Sequence, residues 1–375
     1  MTARPTDADR DALLAAVRAG DADAVALLLD RGADPNAYTL FDRADPQSRL
    51  PALYYACVAD QPRVAALLLE RGAEPNDGES VYHAAELGHA ECLDVLLAHG
   101  ADISGPHAHY GNTPLHFLAA HVRDDAGIRL LLERGADPDV PSGPRRETAL
   151  HRVAEQHAPG TAELLLDHGA DPDRPRDDGR TPYALAVRCA NDAVADLLRT
   201  RGAGIRLNQI DTFLQACLQA DEPTARRLLP ALAAQNRVAL DALDAEDRAA
   251  LAWAALRGRE DSVRLMVALG FDLTWDGPGG GTPLHHAAWH GRPATVGRLL
   301  ELGAPVDISD PQFGASPLGW AAHGSANCRS ADDDYREVVE LLLAAGATRA
   351  AAADRWGTPP EAVASPGVAP LLGAE

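Results

Sequence analysis

The sequence predicts an all-α solenoid of about ten helix-turn-helix units joined by finger loops, and three observations carry that prediction. A leucine run followed by Gly-Ala-Asp returns along the chain, first as Leu27-Leu28-Leu29 ahead of Arg31-Gly32-Ala33-Asp34-Pro35-Asn36. The glycine recurs at Gly72, Gly100, Gly135, Gly169, Gly202, Gly270, Gly303 and Gly346, in steps of 40, 28, 35, 34, 33, 68, 33 and 43 residues. The 68-residue step is two times 34, so a further unit is expected inside it. Ala216-Cys217-Leu218 with Leu228-Leu229 supplies that unit, and Leu232 stands where the glycine would fall.

Each unit reads as an apolar cluster around an Ala-Ala pair, a polar break, and a leucine-rich helix stopped by glycine. Glycine suits the stop because a positive φ brings no Cβ clash. Neither short helix can bury its apolar stripe alone, so neighbouring units must stack around a shared core. The seventh unit, Asp211-Thr212-Phe213-Leu214-Gln215-Ala216, starts much as the first does at Arg10-Asp11-Ala12-Leu13-Leu14-Ala15. This second beginning predicts two sub-stacks, 1–202 with about six units and 203–375 with about four, meeting near Gly202 to Gln209. At the far end Asp354-Arg355-Trp356-Gly357-Thr358-Pro359 opens a unit that never completes and is expected to cap the core.

At Thr113-Pro114-Leu115-His116 and Thr282-Pro283-Leu284-His285 the chain resembles the Thr-Pro-Leu-His signature of the ankyrin-repeat family, with weaker copies at Thr148-Ala149-Leu150-His151 and Thr181-Pro182-Tyr183. The resemblance covers roughly residues 11–347. Tyr54 and Tyr82 replace the signature histidine in the second and third units. The stretch from Asp310 to Ser325 resembles terminal repeats of some bacterial ankyrin-repeat proteins, and an alanine- and arginine-rich chain without lysine agrees with a bacterial type. The resemblance implies that His116, His151 and His285 tie each helix start to its own turn and are not catalytic.

The resemblance also implies that partners dock on the concave side, on the fingers and on the two residues after each Ala-Ala pair. Those pairs include Arg18-Ala19, Glu86-Leu87, Arg188-Cys189, Leu256-Arg257, Trp289-His290 and His323-Gly324. Interface anchors favour Trp, Tyr and Arg, so Trp289, His290, Arg257 and His323 form the expected binding patch. Trp289 has a second reading, packing on the next unit. Trp253, His286 and Trp320 precede their alanine pairs and are assigned to packing. Two insertions, 37–50 with Tyr38, Phe41 and Arg43, and 324–334 in the tenth unit, add candidate binding surface, because long loops on a rigid scaffold often carry function.

The net charge of −21 opposes nucleic acid and anionic membranes. All 34 basic residues are arginine, which excludes lysine Schiff-base and P-loop mechanisms. Five cysteines without a Cys-x-x-Cys pair fit neither a disulfide framework nor a zinc ribbon; Cys189 is expected to be more open than Cys57, Cys92 and Cys217, and Cys328 to be the reactive candidate. Gly277-Pro278-Gly279-Gly280-Gly281-Thr282 lacks the third glycine and the βαβ context of a dinucleotide loop. His107, His109 and His121 have no metal-closing neighbours, and Asp332-Asp333-Asp334 lacks the spacing of a calcium loop. No signal-peptide core and no apolar run of membrane length is found, so a cytoplasmic monomer is expected. The function expected is a scaffold that binds a protein partner, with no cofactor and no metal. The alternative is an enzyme or small-molecule binder using concave His, Trp and acidic residues.

Overall fold

The computed structural model describes residues 7–42, 45, 48–107, 111–121, 125–156, 158–232, 240, 243–328 and 334–373. Two compact units are present, one made of Met1–Tyr183 with Asp196–Gly204, the other of Ala184–Ala195 with Ile205–Glu375. The first holds the helix pairs Asp7–Ala19 and Ala22–Asp30, Ala52–Val58 and Pro62–Glu70, Ser80–Glu86 and Ala90–Ala98, Pro114–His121 and Ala126–Glu133, and Ala149–Gln156 and Pro159–Asp167. A sixth pair, Pro182–Arg188 and Asp192–Thr200, gives residues to both units.

The second unit continues with Gln209–Leu218 and Glu222–Leu232, the pair expected inside the long glycine gap. Ala250–Leu256 and Glu260–Ala268, Pro283–Trp289 and Pro293–Glu301, and Pro317–Asn327 and Tyr335–Ala344 follow. The incomplete last unit forms the short helices Pro360–Val363 and Ala369–Gly373, and Val368 and Leu372 close the core as the cap reading expects. The fold is the ankyrin-type helical repeat read from the sequence. One addition to an all-α reading is a two-stranded antiparallel hairpin in the first finger, β1 (Tyr38–Leu40) with β2 (Arg49–Pro51).

The recurring Gly-Ala-Asp ending works as a helix stop. Gly32 sits at φ +95° and donates to the Leu29 carbonyl at 2.9 Å, while Ala33 N donates to the Leu28 carbonyl at 3.0 Å. These two bonds use carbonyls that the helix end would leave orphaned. Two residues on, Asp34 Oδ1 accepts from Asn36 N at 2.9 Å. Asn36 Oδ1 then accepts from Glu74 N of the next loop at 2.8 Å. Asn76 takes Asp102 N at 2.7 Å, Asp139 takes Asp171 N at 3.0 Å, and Asp173 takes Gly204 N at 2.6 Å in the same way. The last residue of the repeated phrase is thus a rung from one loop to the next.

The signature histidines form a second set of rungs. Each Nδ1 accepts from the hydroxyl of its own threonine, at 2.7 Å for Thr113–His116 and 2.8 Å for Thr148–His151 and Thr282–His285. Each Nε2 donates to a carbonyl of the following finger: Glu147 O at 2.6 Å, Arg180 O at 3.2 Å and Ala315 O at 3.1 Å. Both ring nitrogens are used, so the neutral imidazole is the form that fits. Burial pushes the pKa of all three histidines down to about 4. They have a structural role, as expected, and each also bridges two repeats.

Arg188 departs from its expected place on an open face. Its guanidinium is almost fully buried between Asp211, at 3.1 Å, and Asp247. Each aspartate also closes a capping box at the start of its own helix, with Asn208 and with Asp244. One cation therefore ties together the starts of Gln209–Leu218 and Ala245–Arg248 within the second unit. Its neighbour Cys189 is also buried, against Ala249 and Trp253, and at 5% exposure is only marginally more open than Cys57, Cys92 and Cys217.

Two predictions follow from these buried polar contacts. His285→Ala should lower unfolding free energy by about 1–3 kcal/mol, because the Ala315 carbonyl loses one of its two donors and the Thr282 amide and hydroxyl lose the imidazole. Because the folded pKa of these histidines lies below the unfolded value of about 6.5, the unfolded chain binds more protons at intermediate pH. Their contribution is present above pH ~6.5 and is lost as pH falls towards about 4. Denaturant melts at several pH values should show a weaker loss across that window in His285→Ala than in the parent. Arg188→Met should cost about 3–5 kcal/mol by removing the one cation that two buried carboxylates share, read by the same melts; a change within about 0.5 kcal/mol, the size expected of surface substitutions, would contradict the buried triad.

Candidate functional site

The described residues of the first finger form a hairpin with register Tyr38↔Pro51, Thr39↔Leu50 and Leu40↔Arg49. Strand alternation turns Thr39 towards the helix that follows, and its hydroxyl lies 2.6 Å from the Tyr55 hydroxyl. Tyr38 and Leu40 face outward, and the Arg49 guanidinium lies over the Tyr38 ring at 4.6 Å. Phe41 N donates to Ser48 O at 2.8 Å, which fixes the backbone at the turn, yet the Phe41 side chain is 83% exposed. Arg43 lies outside the described residues.

Behind the hairpin is a cavity of about 630 Å³ lined by Phe41, Asp42, Asp45, Ser48, Arg49, Leu50, Tyr54, Asp77, Glu79, Tyr82, His83, His107, Asn112 and Phe117. Its floor is built by the start of helix Ser80–Glu86. Asp77 Oδ1 accepts from the Glu79 and Ser80 amides at 2.9 and 2.8 Å, and Ser80 Oγ donates to Asp77 Oδ2 at 2.5 Å. Burial nevertheless raises the Asp77 pKa. Glu79 lies between two imidazoles, 3.0 Å from His107 Nε2 and 3.3 Å from His83 Nε2. Burial pushes the Glu79 carboxyl up, but the bonds from His107 and His83 prevail and hold it at about 2. Burial likewise works against the charged form of His83, yet its contacts to Glu79 and to Glu86, 3.0 Å away, raise its pKa above the ordinary value.

The two tyrosines that replace signature histidines diverge here. Tyr82 keeps the bridging role, because its hydroxyl donates to the Asn112 carbonyl of the next finger. Tyr54 instead sets its ring 5.0 Å from His83, and His83 lies 6.5 Å from Phe117, so the three rings form a row along the cavity. The insertion was legible as a candidate surface. The cavity was not, because Glu79 and His83 come from the third repeat while His107 and Phe117 come from the fourth.

In the second unit the expected patch is mostly packed. Trp289 stacks on His323 at 6.3 Å and meets Trp320 edge-on at 5.6 Å, while the Trp289 carbonyl accepts from the Tyr335 hydroxyl at 2.7 Å. Gly324 lies so close that an added Cβ would meet the Trp289 carbonyl oxygen at 2.2 Å. Burial, with Arg292 and Arg257 nearby, lowers the His290 pKa to about 4. Burial also lowers the Arg257 pKa. Trp253, His286 and Trp320 are buried, as their packing assignment expects, and Trp320 Nε1 donates to Asp310 Oδ2 at 3.0 Å. Among the described residues no helix is long and apolar enough to cross a membrane. The side chain of His121, together with His109, Asp332 and Asp333, lies outside the described residues, whereas Asp334 caps its helix by accepting from Glu337 N at 3.2 Å.

A family model described as Ankyrin repeats (3 copies) matches residues 2–79, 77–142, 118–211 and 213–310. Protein phosphatase 1 regulatory subunit 27 of Mus musculus is 30% identical over 130 residues, which are 35% of this chain and 75% of that protein. Ankyrin repeat and SOCS box protein 5 of Mus musculus is 38% identical over 117 residues, 31% of this chain and 34% of that protein. A putative ankyrin repeat protein of Fowlpox virus is 41% identical over 69 residues, 18% of this chain, and the match spans only 13% of the viral protein. The match to the Drosophila melanogaster Notch protein likewise spans 4% of that protein. The crystal structure of the human ASB11 ankyrin repeat domain aligns with a TM-score of 0.31 at 23% identity, covering 70% of this chain and 96% of that one.

The Trp289 geometry yields a stability prediction. Trp289→Ala should lower unfolding free energy by about 3 kcal/mol through the space left against Trp320 and His323. An unchanged denaturation midpoint would contradict the packing described.

Proposed function

This chain belongs to the ankyrin-repeat family, and from that premise we propose that it is a scaffold that binds a protein partner on the finger side of its repeats, without catalysis of its own. Ankyrin repeats are protein-interaction modules, and relatives of this chain include a phosphatase regulatory subunit. The observation that carries the reading is Phe41. A large apolar side chain stands almost entirely in solvent on a hairpin held by main-chain bonds, beside Tyr38, which is 37% exposed. An exposed aromatic on a rigid finger gains burial on binding at little entropy cost.

Tyr38 and Phe41 are therefore the principal proposed contacts. Trp289, His290, Arg257 and His323 are kept as a second contact, with most of the Trp289 ring serving its own repeat. The cavity behind the hairpin favours the second reading, a small-molecule binder, although with Tyr54, Glu79 and His83 rather than with Trp289, His290 and His323. The proposed boundary between repeat stacks remains 1–202 and 203–375. A bacterial type is proposed from composition, and a cytoplasmic location and monomeric state are proposed beside it, while the relatives compared above are animal and viral.

The test uses the partner captured from the native source. Phe41→Ala should weaken its complex by about 2 kcal/mol, near 30-fold in Kd, with the melting midpoint unmoved because Phe41 supports no core. Unchanged affinity in both Phe41→Ala and Tyr38→Ala would remove the hairpin from the interface.

A further inference from the structure

The cavity behind β1 and β2 has a narrower chemistry than a general docking face. Its volume of about 630 Å³ falls within the ~300–1,000 Å³ of small-ligand sites, enough for one long side chain or one small molecule. We propose that this cavity receives a positively charged group on an apolar stem, supplied by an arginine or lysine side chain of the protein partner. The proposal rests on the scaffold reading above and specifies what the hairpin surface holds.

Two features of the walls support it. The Tyr54 and Phe117 rings flank His83 along the cavity. Aromatic faces attract an organic cation through their quadrupole, most strongly where water is partly excluded. Phe41 at the mouth and Leu50 inside offer apolar surface to an alkyl stem, which a bare metal ion would not use.

The charges point the same way. Among the described lining residues the carboxylates of Asp42, Asp45, Asp77 and Glu79 outnumber the basic groups, which are the Arg49 guanidinium over the Tyr38 ring and the His83 and His107 imidazoles beside Glu79. Glu79 remains ionised at neutral pH because His107 and His83 hold its carboxylate. A phosphate or carboxylate ligand would meet like charge, and a neutral apolar ligand would bury these carboxylates further without adding an opposite charge. The chain's net charge of −21 adds long-range attraction for a basic partner segment.

The test titrates the full chain by calorimetry with N-acetylarginine amide, with its neutral isostere N-acetylcitrulline amide, and with n-propylguanidinium. The expected result is binding of the arginine amide, at least tenfold weaker binding of the citrulline amide, and affinity that falls as salt is raised. Glu79→Gln should weaken the arginine amide at least tenfold. Because Glu79 also holds two imidazoles, Tyr54→Leu is measured beside it, with a melting curve for each variant, and should weaken binding at an unchanged midpoint. Equal affinity for the arginine and citrulline amides, or no binding of either cation, overturns the proposal. Binding of n-propylguanidinium without the arginine amide overturns the partner side chain as the source and assigns the cavity to a free organic cation. Loss of the partner complex in Phe41→Ala without arginine amide binding in the parent overturns this inference alone. Arginine amide binding with a partner complex indifferent to Phe41 overturns the scaffold reading of the hairpin instead.

Discussion

Within each compact unit a repeat depends on its neighbour for a place to bury its apolar stripe and for partners to its buried polar atoms. The imidazole between a threonine and the following finger expresses both needs in one contact. Nδ1 closes the helix start of its own repeat, and Nε2 fixes where the next finger passes. A second rung, from Asn36 or Asp139 to the following loop, sets the spacing on the other side of each finger. With both rungs made, the finger backbone is held at two heights, and its exposed side chains sit on rigid supports. The first finger is held instead by its own β1–β2 ladder and by the Thr39–Tyr55 contact, so Phe41 is presented on a backbone with fixed partners.

The candidate site arises where that scheme is altered. The first finger is longer than the others near it and uses its extra residues to make a hairpin, so Phe41 projects over the neighbouring repeat. In the second and third repeats tyrosine stands in the histidine position. Tyr82 still reaches the next finger's carbonyl, but Tyr54 presents its ring to the space behind the hairpin. The Glu79–His83–His107 cluster then gives that space charge. A buried carboxylate is costly unless several donors meet it, and here two imidazoles do.

The repeat itself was legible because its residues are local in sequence. The glycine stop, the Ala-Ala pair and the Thr-Pro-Leu-His phrase each act within one unit, so their spacing revealed even the pair hidden between Gly202 and Gly270. The site was only partly legible. Tyr38 and Phe41 stood out as aromatics in an insertion, whereas the carboxylate and imidazoles behind them are ordinary residues of two later repeats, and nothing in their spacing announces that they converge. Arg188 misled for a related reason. At its helical position an open face was expected, but Asp211 and Asp247 enter from later in the chain to bury it. Trp289 was ambiguous in the sequence because large aromatics serve cores and interfaces alike, and its contacts with Trp320 and His323 place most of its ring in packing.

The central claim is that the finger hairpin and the cavity behind it form the partner-binding surface. Hydrogen exchange of the full chain, with and without the partner captured from its native source, tests it most directly. The account predicts slowed exchange in peptides covering Tyr38–Leu40, Ser80–Glu86 and the Gly105 to Phe117 stretch, with the second helices Pro62–Glu70 and Ala90–Ala98 unaffected. Slowed exchange confined to those second helices, or to Pro283–Trp289 alone, would contradict it.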